Sequence, residues 1–327
     1  MKYKAVVTDY VWPNLNIEKK ILNENNIEIV DANNFSKSEL INEVADADAL
    51  LFCFKEIDSE ILEAAKICKV AARYGIGVDN IDIKKCTELG IVVTNIPDYC
   101  LEEVSDHAIS MIISLNRRIY EHWSLVKNGG WNDLNLDIPV LRLSESILGI
   151  VGFGRIGKTI SKRISSLGIK SIAYDPFLNT GDIIDDVEIV SFENLLEKSD
   201  FITVHVPLNE STHHLFSEDE FKKMKNNAIL INCARGGLVD ENAASIALSN
   251  GDIGGVGLDV IEDISANHIS PLYENKNVII TPHTAFFSKS SGEELQTRTS
   301  EEIVRVIYGN TPQNFINPEV KKSSRNL

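Results

Sequence analysis

The chain has 327 residues, 43% of them hydrophobic and 24% charged, with a formal net charge of −16. That length exceeds what one core comfortably fills, so two domains are expected. The acidic balance opposes binding to nucleic-acid backbones or anionic lipid, although a local cationic pocket for a small anionic substrate remains compatible with it.

The opening "MKYKAVVTDY" enters a strand-like run directly, so no signal peptide is expected. "KAVVTDY", "IEIV", "ALLF", "KVAARYG" and "IVVTN" read as strands, with amphipathic stretches such as "IDSEILEAAKIC" between them. Residues 101–127, "LEEVSDHAISMIISLNRRIYEHWSLVK", read as one long helix leading into a second domain. Beyond residue 145 come "ILGIVGFG", "SIAYD", "VEIV", "FITVHV", "AILINCA", "GGVGLDV" and "NVIITPH". Their apolarity is continuous rather than alternating, which marks strands buried on both faces in parallel sheets covered by helices: an α/β protein. A last helix, "SGEELQTRTSEEIVRVIYG", is placed to cross back, which predicts a discontinuous first domain of 1–98 plus 288–327 around an inserted 99–287. Cys53, Cys68, Cys86, Cys100 and Cys233 form no Cys-x-x-Cys pair and are odd in number. They fit reduced thiols, not a disulfide frame or a metal site, and no apolar run is long enough to span a membrane, so a cytoplasmic protein is expected.

Within "ILGIVGFGRIGKTISKRISSLGIKSIAYDP" stand Gly152, Gly154 and Gly157 in Gly-x-Gly-x-x-Gly spacing. They follow an apolar strand and open a helix at about residue 156, and a second strand ends in Asp175, 18 residues past Gly157. This is the setting of a dinucleotide site. The glycines permit the tight turn, the approach to a pyrophosphate and close helix packing, and the helix N-terminus faces the phosphates. Asp175 would accept the adenosine ribose hydroxyls and repel a 2′-phosphate, which favours NAD. Arg235 in "INCARGGLVDE" and His283 in "NVIITPHTAFF" each stand just past a strand, where open α/β sheets bind ligands. The arginine fork suits a carboxylate. The other histidines carry less: His107 and His122 lie in the long helix, His205 at a strand end, His268 in a loop, and His213 with His214 in a polar loop.

"RYGIGVDNIDIKKCTELGIVVTNIPDYCLEEVSDHA", "GIVGFGRIGKTI", "YDPFL", "ITVHVPLNESTHHLF", "INCARGGLVDENA", "GLDV" and "TPHTAFFS" occur in an order and spacing that resemble the D-isomer-specific 2-hydroxyacid dehydrogenases over nearly the whole chain. Within that family the chain looks most similar to the C-terminal-binding-protein-like branch. The resemblance implies a flavodoxin-like substrate domain, a Rossmann NAD domain and a homodimer formed through the second domain, including 101–127. It implies that NADH reduces the carbonyl of a small anionic 2-oxo acid, with Arg235 clamping the substrate carboxylate and His283 as acid and base. The backbone N–H groups of Ile76 and Gly77 would meet that carboxylate, and Phe286 would shape the substrate pocket. The cofactor would be held by the turn Gly152, Phe153, Gly154, Arg155, Ile156 and Gly157, and by Asp175. Val206, Pro207 and Thr212 would line the adenine side; Cys233, Ala234, Arg235, Val104 and His283 the nicotinamide side; and Asp259 would hold the carboxamide.

One position departs from the family. Relatives carry a histidine-orienting glutamate five residues after the Asp259 position; here Ile264 stands there, with Ser265 in place of a proline. Three readings follow: Asp263 or Glu262 supplies the acid after a loop shift, His283 works unassisted, or catalysis is vestigial and the chain is an NAD(H)-binding sensor or scaffold. An altered reaction on a substrate carrying its own acidic group is a further alternative.

Overall fold

The computed structural model describes residues 2–133, 139–265, 269–322 and 324–325. The chain forms two compact units, Met1–Tyr99 with Ser288–Leu327, and Cys100–Phe287.

The first segment runs β1 (Tyr3–Val7), α1 (Asn16–Glu24), β2 (Ile27–Asp31), α2 (Lys37–Glu43), β3 (Ala49–Phe52), α3 (Ser59–Ala64), β4 (Val70–Arg73), α4 (Ile83–Leu89) and β5 (Val92–Thr94). All pairs are parallel, in the order β2-β1-β3-β4-β5, the flavodoxin order. β3, β4 and β5 are buried at every position, as the unbroken apolar runs require. Helix starts are fixed by side chains: Ser36 and Glu39 form a capping box on α2, and Asp58 and Asp82 cap α3 and α4.

The inserted unit runs α5 (Leu101–Asn116), α6 (Ile119–Lys127), β6 (Ile147–Val151), α7 (Arg155–Ile164), β7 (Lys170–Tyr174), β8 (Ile183–Ile184), β9 (Val187–Ile189), α8 (Phe192–Lys198), β10 (Phe201–Val204), α9 (Glu218–Lys223), β11 (Ile229–Asn232), α10 (Glu241–Asn250), β12 (Gly255–Leu258) and β13 (Val278–Ile280). Its sheet order is β13-β12-β11-β10-β6-β7-β9-β8. From β9 through β12 this is the doubly wound Rossmann arrangement, with its switch point between β6 and β10. Only β8–β9 is antiparallel, turned through Asp185 and Asp186 at φ 51° and 65°. The chain then returns to the first unit as α11 (Lys289–Ile307), which packs on α1 and β4.

The single helix expected over 101–127 is two. Arg118 takes a left-handed backbone, φ 56°, between α5 and α6. Its guanidinium pairs with Glu121 at 2.6 Å. The Asn116 side chain bonds both backbone groups of Leu141, Nδ2 donating at 3.0 Å and Oδ1 accepting at 2.9 Å.

In the first unit Glu18 of α1 is fully buried, and its Oε1 accepts from the Tyr74 hydroxyl at 3.1 Å. Burial pushes its carboxyl up to about 7 from 4.5. The folded chain therefore keeps a proton that the unfolded chain loses, so stability falls as pH rises through the window from 4.5 to about 7. The linked loss is about 3 kcal/mol. Glu18→Gln is expected to remove that slope: the thermal midpoints of variant and parent should diverge, in the variant's favour, on going from acid to neutral pH. Parallel pH profiles would contradict it.

Candidate active site

In the inserted unit the carboxyl ends of β6, β10, β11, β12 and β13 lie side by side, because those strands are sheet neighbours. Each carries one group of the residues singled out from the sequence.

After β6, Gly152 turns at φ 93°, and its N–H donates to Tyr174 O at 2.8 Å. A Cβ there would meet His205 O at 2.7 Å, and one on Gly157 would meet Gly152 O at 2.4 Å, so both positions exclude a side chain. A Cβ on Gly154 would meet nothing within 4 Å; the turn is open at that point. No side chain caps α7, leaving its first N–H groups for an anion. Phe153 and Ile156 turn their side chains into the core, Phe153 being 2% exposed, so their contribution to a ligand is backbone; Arg155 is exposed at the first helical position. Asp175 accepts from Phe153 N–H and Phe177 N–H, both at 3.0 Å, one on each oxygen. A carboxylate has room for about four such bonds, so it retains capacity for ribose hydroxyls. These features fit a dinucleotide.

After β10, His205 N–H donates to Val151 O at 2.7 Å and its Nε2 lies 2.7 Å from Thr203 Oγ1. Burial lowers its imidazole to about 3, so it stays neutral. Val206 is half-buried. Thr212 closes the next loop, its Oγ1 donating to Pro207 O at 2.7 Å and accepting from Asn209 N–H at 2.9 Å.

After β11, fully buried Asn232 spans the turn that presents Arg235: its Oδ1 accepts from Ala234 N–H at 2.9 Å and its Nδ2 donates to Arg235 O at 2.7 Å. One Arg235 guanidinium nitrogen donates to Ala234 O at 2.8 Å. Cys233 is neutral, its thiol pushed up by burial and by Asp259. Val104 is buried in α5.

After β12, Asp259 is 1% exposed and acts as the hub of the β13 end. Its Oδ1 accepts from Thr281 Oγ1 at 2.5 Å and Thr284 N–H at 2.9 Å, and its Oδ2 accepts from Ala285 N–H at 2.8 Å. His283 N–H donates to Asp259 O at 2.8 Å, and His283 itself sits at φ 53°. His107 reaches the same network from α5, with Nε2 2.9 Å from Thr281 Oγ1 and 3.6 Å from Asp259 Oδ1. The His283 and Phe286 rings are edge-to-face, centroids 6.2 Å apart.

Sequence reasoning missed Asn232, His107 and Thr281 as parts of this frame. Asn232 left one sign, a polar residue closing the apolar run "ILIN". His107 left none, since a helical histidine does not reveal what it faces.

Ile264 is 85% exposed. Glu262 turns its carboxylate to the histidine pair, Oε1 to His213 Nε2 at 2.9 Å and Oε2 to His214 Nε2 at 3.0 Å. The pair holds that carboxyl below its usual range, His214 contributing most. Glu262, one of the two candidates for the missing acid, thus has each oxygen engaged by one histidine of that pair. Asp263 Oδ1 accepts from Ser265 N–H at 2.8 Å. His268 lies outside the described residues.

In the other unit, Ile76 and Gly77 follow β4 in a turn fixed by Asn95, whose Nδ2 donates to Ile76 O at 2.6 Å, and by Ile96 N–H to Gly75 O at 3.0 Å. Among the described residues no helix is long and apolar enough to cross a membrane.

Residues 109–285 match the model of the D-isomer-specific 2-hydroxyacid dehydrogenase NAD-binding domain. A glyoxylate reductase of Korarchaeum cryptofilum is 37% identical over 88% of each chain. A D-lactate dehydrogenase of Aquifex aeolicus, solved with NAD and lactic acid, is 28% identical with TM-score 0.85, covering 96% of this chain and 98% of that one. A glyoxylate reductase of Paecilomyes thermophila gives TM-score 0.88 at 25% identity, covering 98% and 99%. The chain belongs to the D-isomer-specific 2-hydroxyacid dehydrogenase family and is an NAD-dependent oxidoreductase.

Proposed function

We propose that the chain reduces a small 2-oxo acid, such as the glyoxylate of its named relatives, with Arg235 as the clamp and His283 as the acid. The observation that carries this reading is the placement of Arg235, Asp259 and His283 at the ends of the neighbouring strands β11, β12 and β13.

Bound NADH supplies the hydride to the carbonyl carbon. The turn 152–157 and the α7 N-terminus hold its pyrophosphate, Asp175 its ribose, Val206, Pro207 and Thr212 its adenine side, and Val104, Cys233 and Ala234 border its nicotinamide. The Asp259 carboxylate keeps acceptor capacity on Oδ2 for the carboxamide, its other bonds being made to the Thr281 hydroxyl and to the Thr284 and Ala285 N–H groups. Arg235 binds the substrate carboxylate and polarises the carbonyl. His283 gives its proton to the oxygen that becomes the hydroxyl and recovers it from water. Phe286 packs edge-on to His283 and limits the substrate's side chain. The active form is a homodimer in the cytoplasm, with the second copy covering Ile119, Tyr120 and Trp123 of α6 and nearby Trp131, all exposed here.

With Ile264 in the family's glutamate position, the carboxylate that relatives carry there is replaced by an apolar side chain. A carboxylate beside an imidazole favours its charged form. Ile264→Glu is therefore expected to move the alkaline limb of the kcat–pH profile for reduction to higher pH and to raise turnover near neutrality. An unmoved limb, together with a large loss in Asp263→Asn, would assign the acid to Asp263 instead. The exposed, apolar Ile264 also favours a second reading, an NAD(H)-binding sensor without turnover; it predicts nucleotide binding with no product from any 2-oxo acid.

A further inference from the structure

We propose that His213, His214 and Glu262 form a binding site for a divalent cation of the zinc class, separate from the proposed chemistry at Arg235 and His283. Their donor atoms all lie within 4.8 Å of one another. Both imidazole Nε2 atoms are aimed at one carboxylate, at 2.9 and 3.0 Å from its two oxygens. Ligands around tetrahedral zinc stand about 3.3 Å apart when each bond is about 2.0–2.1 Å, so these imidazole–carboxylate separations are a few tenths of an ångström from what the ion requires. Two imidazoles and one carboxylate are a donor set that zinc uses, with the fourth position left to water.

The arrangement is held from outside the cluster. The rings of His213 and His214 are stacked, centroids 4.0 Å apart and 25° between planes, which points neighbouring side chains the same way. His214 reaches this pose through a left-handed backbone, φ 50°, fixed by its N–H donating to Gly237 O at 2.8 Å. Its other ring nitrogen, Nδ1, lies 3.9 Å from Asp240 Oδ2, an ion-pair contact longer than a hydrogen bond. On the opposite side Glu262 N–H donates to Glu241 Oε1 at 3.0 Å, and Glu241 also takes the Ser270 hydroxyl. The loop carrying the carboxylate is thus anchored by its backbone, and its side chain is aimed without further ordering.

The paired glycines after Arg235 bring the two loops together. A Cβ on Gly236 would sit 2.1 Å from the Ile261 carbonyl carbon, and one on Gly237 would sit 3.5 Å from the His213 ring and 3.2 Å from Leu208. With glycine at both places, the loop after β12 and the loop after β10 close over the same turn. A cation on the three donors would cross-link those loops. The cysteines do not compete: Cys53, Cys68, Cys86 and Cys100 are buried and Cys233 is half-buried with a strongly raised thiol. The expectation of no metal site rested on cysteine spacing; a ligand 48 residues from an adjacent histidine pair has no spacing signature.

The test is metal uptake by the chelator-treated full chain. Zinc titration by calorimetry should show one ion per chain, and zinc should raise the thermal midpoint. Cobalt(II) should give a visible ligand-field spectrum without a thiolate charge-transfer band. His213→Gln, His214→Asn (which tolerates the left-handed backbone) and Glu262→Gln should each weaken zinc about tenfold or more, since even loss of an orienting partner typically costs 10–100-fold. All three positions are at the surface, so the metal-free midpoints of the variants report whether they fold. Absence of stoichiometric uptake, affinity unchanged in the folded variants, or a thiolate band in the cobalt spectrum would each overturn the proposal and leave the three residues as an ion-paired clasp.

Discussion

His283→Asn is expected to lower the rate of 2-oxo acid reduction by about 10²- to 10⁴-fold, the usual contribution of a positioned general acid, while NADH binding is kept. Asparagine is the informative choice. The residue sits at φ 53°, and asparagine tolerates the left-handed region better than most side chains. The backbone bonds of residue 283 to Asp259 O and Thr281 O, at 2.8 and 3.0 Å, survive the change. Asp259 still holds Thr281, Thr284 and Ala285. What is lost is the imidazole, with its proton and its edge-to-face contact with Phe286. Single-turnover rates and nucleotide titration by tryptophan fluorescence separate the two effects. A fall of less than about tenfold would place the proton transfer elsewhere, because even modest acid catalysis exceeds that.

Arg235→Gln should cost about 10²–10³ in kcat/KM, the range for loss of one charge-stabilising donor, and should raise KM for the 2-oxo acid. Arg235→Lys should rescue little. The ammonium is a point charge without the guanidinium's planar fork, so it meets the carboxylate with one bond rather than two. The Asn232 bridge to Ala234 N–H and Arg235 O is backbone to the clamp and independent of its side chain, so the turn keeps its shape in either variant. Nucleotide affinity should change little. Equal losses with a carbonyl substrate that lacks the carboxylate would contradict the clamp and assign Arg235 a structural role.

The sheets were legible because their central strands are nearly continuous apolar runs: "ALLF", "FITV" and "ILIN" show no alternation and are buried at every position, so covered parallel sheets follow. The dinucleotide turn was legible because three glycines answer to three separate steric demands, two of which appear directly as contacts a Cβ would make. The break between α5 and α6 was not legible. "SLNRRIYEH" carries no proline or glycine. The left-handed turn at Arg118 is accompanied by Asn116 side-chain bonds to Leu141, 25 residues away, which no local pattern signals. The two-residue β8 left too short a run to read, although the paired aspartates that turn it are a hairpin signal.

At the site, strand-end positions could be assigned from sequence, but side-chain direction in the loops could not. Glu262 and Asp263 are adjacent and chemically alike on paper, yet Glu262 is drawn to a histidine pair 48 and 49 residues earlier. Asp259 read as a cofactor ligand, and the fold also makes it the hub that places His283. Such roles depend on which backbone N–H groups a carboxylate meets after the strands have paired. Neither hydrophobic period nor motif spacing encodes that directly.

Hydride transfer from NADH to the carbonyl carbon of a 2-oxo acid is the reaction proposed for this protein. The most direct measurement is label transfer: incubate the purified chain with NADH deuterated at the reactive nicotinamide carbon and a panel of 2-oxo acids beginning with glyoxylate, from about pH 5 to 8, the range in which an imidazole changes charge, and analyse the products by mass spectrometry. The expected product is a 2-hydroxy acid carrying the deuterium on its C2 carbon, with a large drop in its yield for His283→Asn. Tight NADH binding with no labelled product from any member of the panel would contradict it.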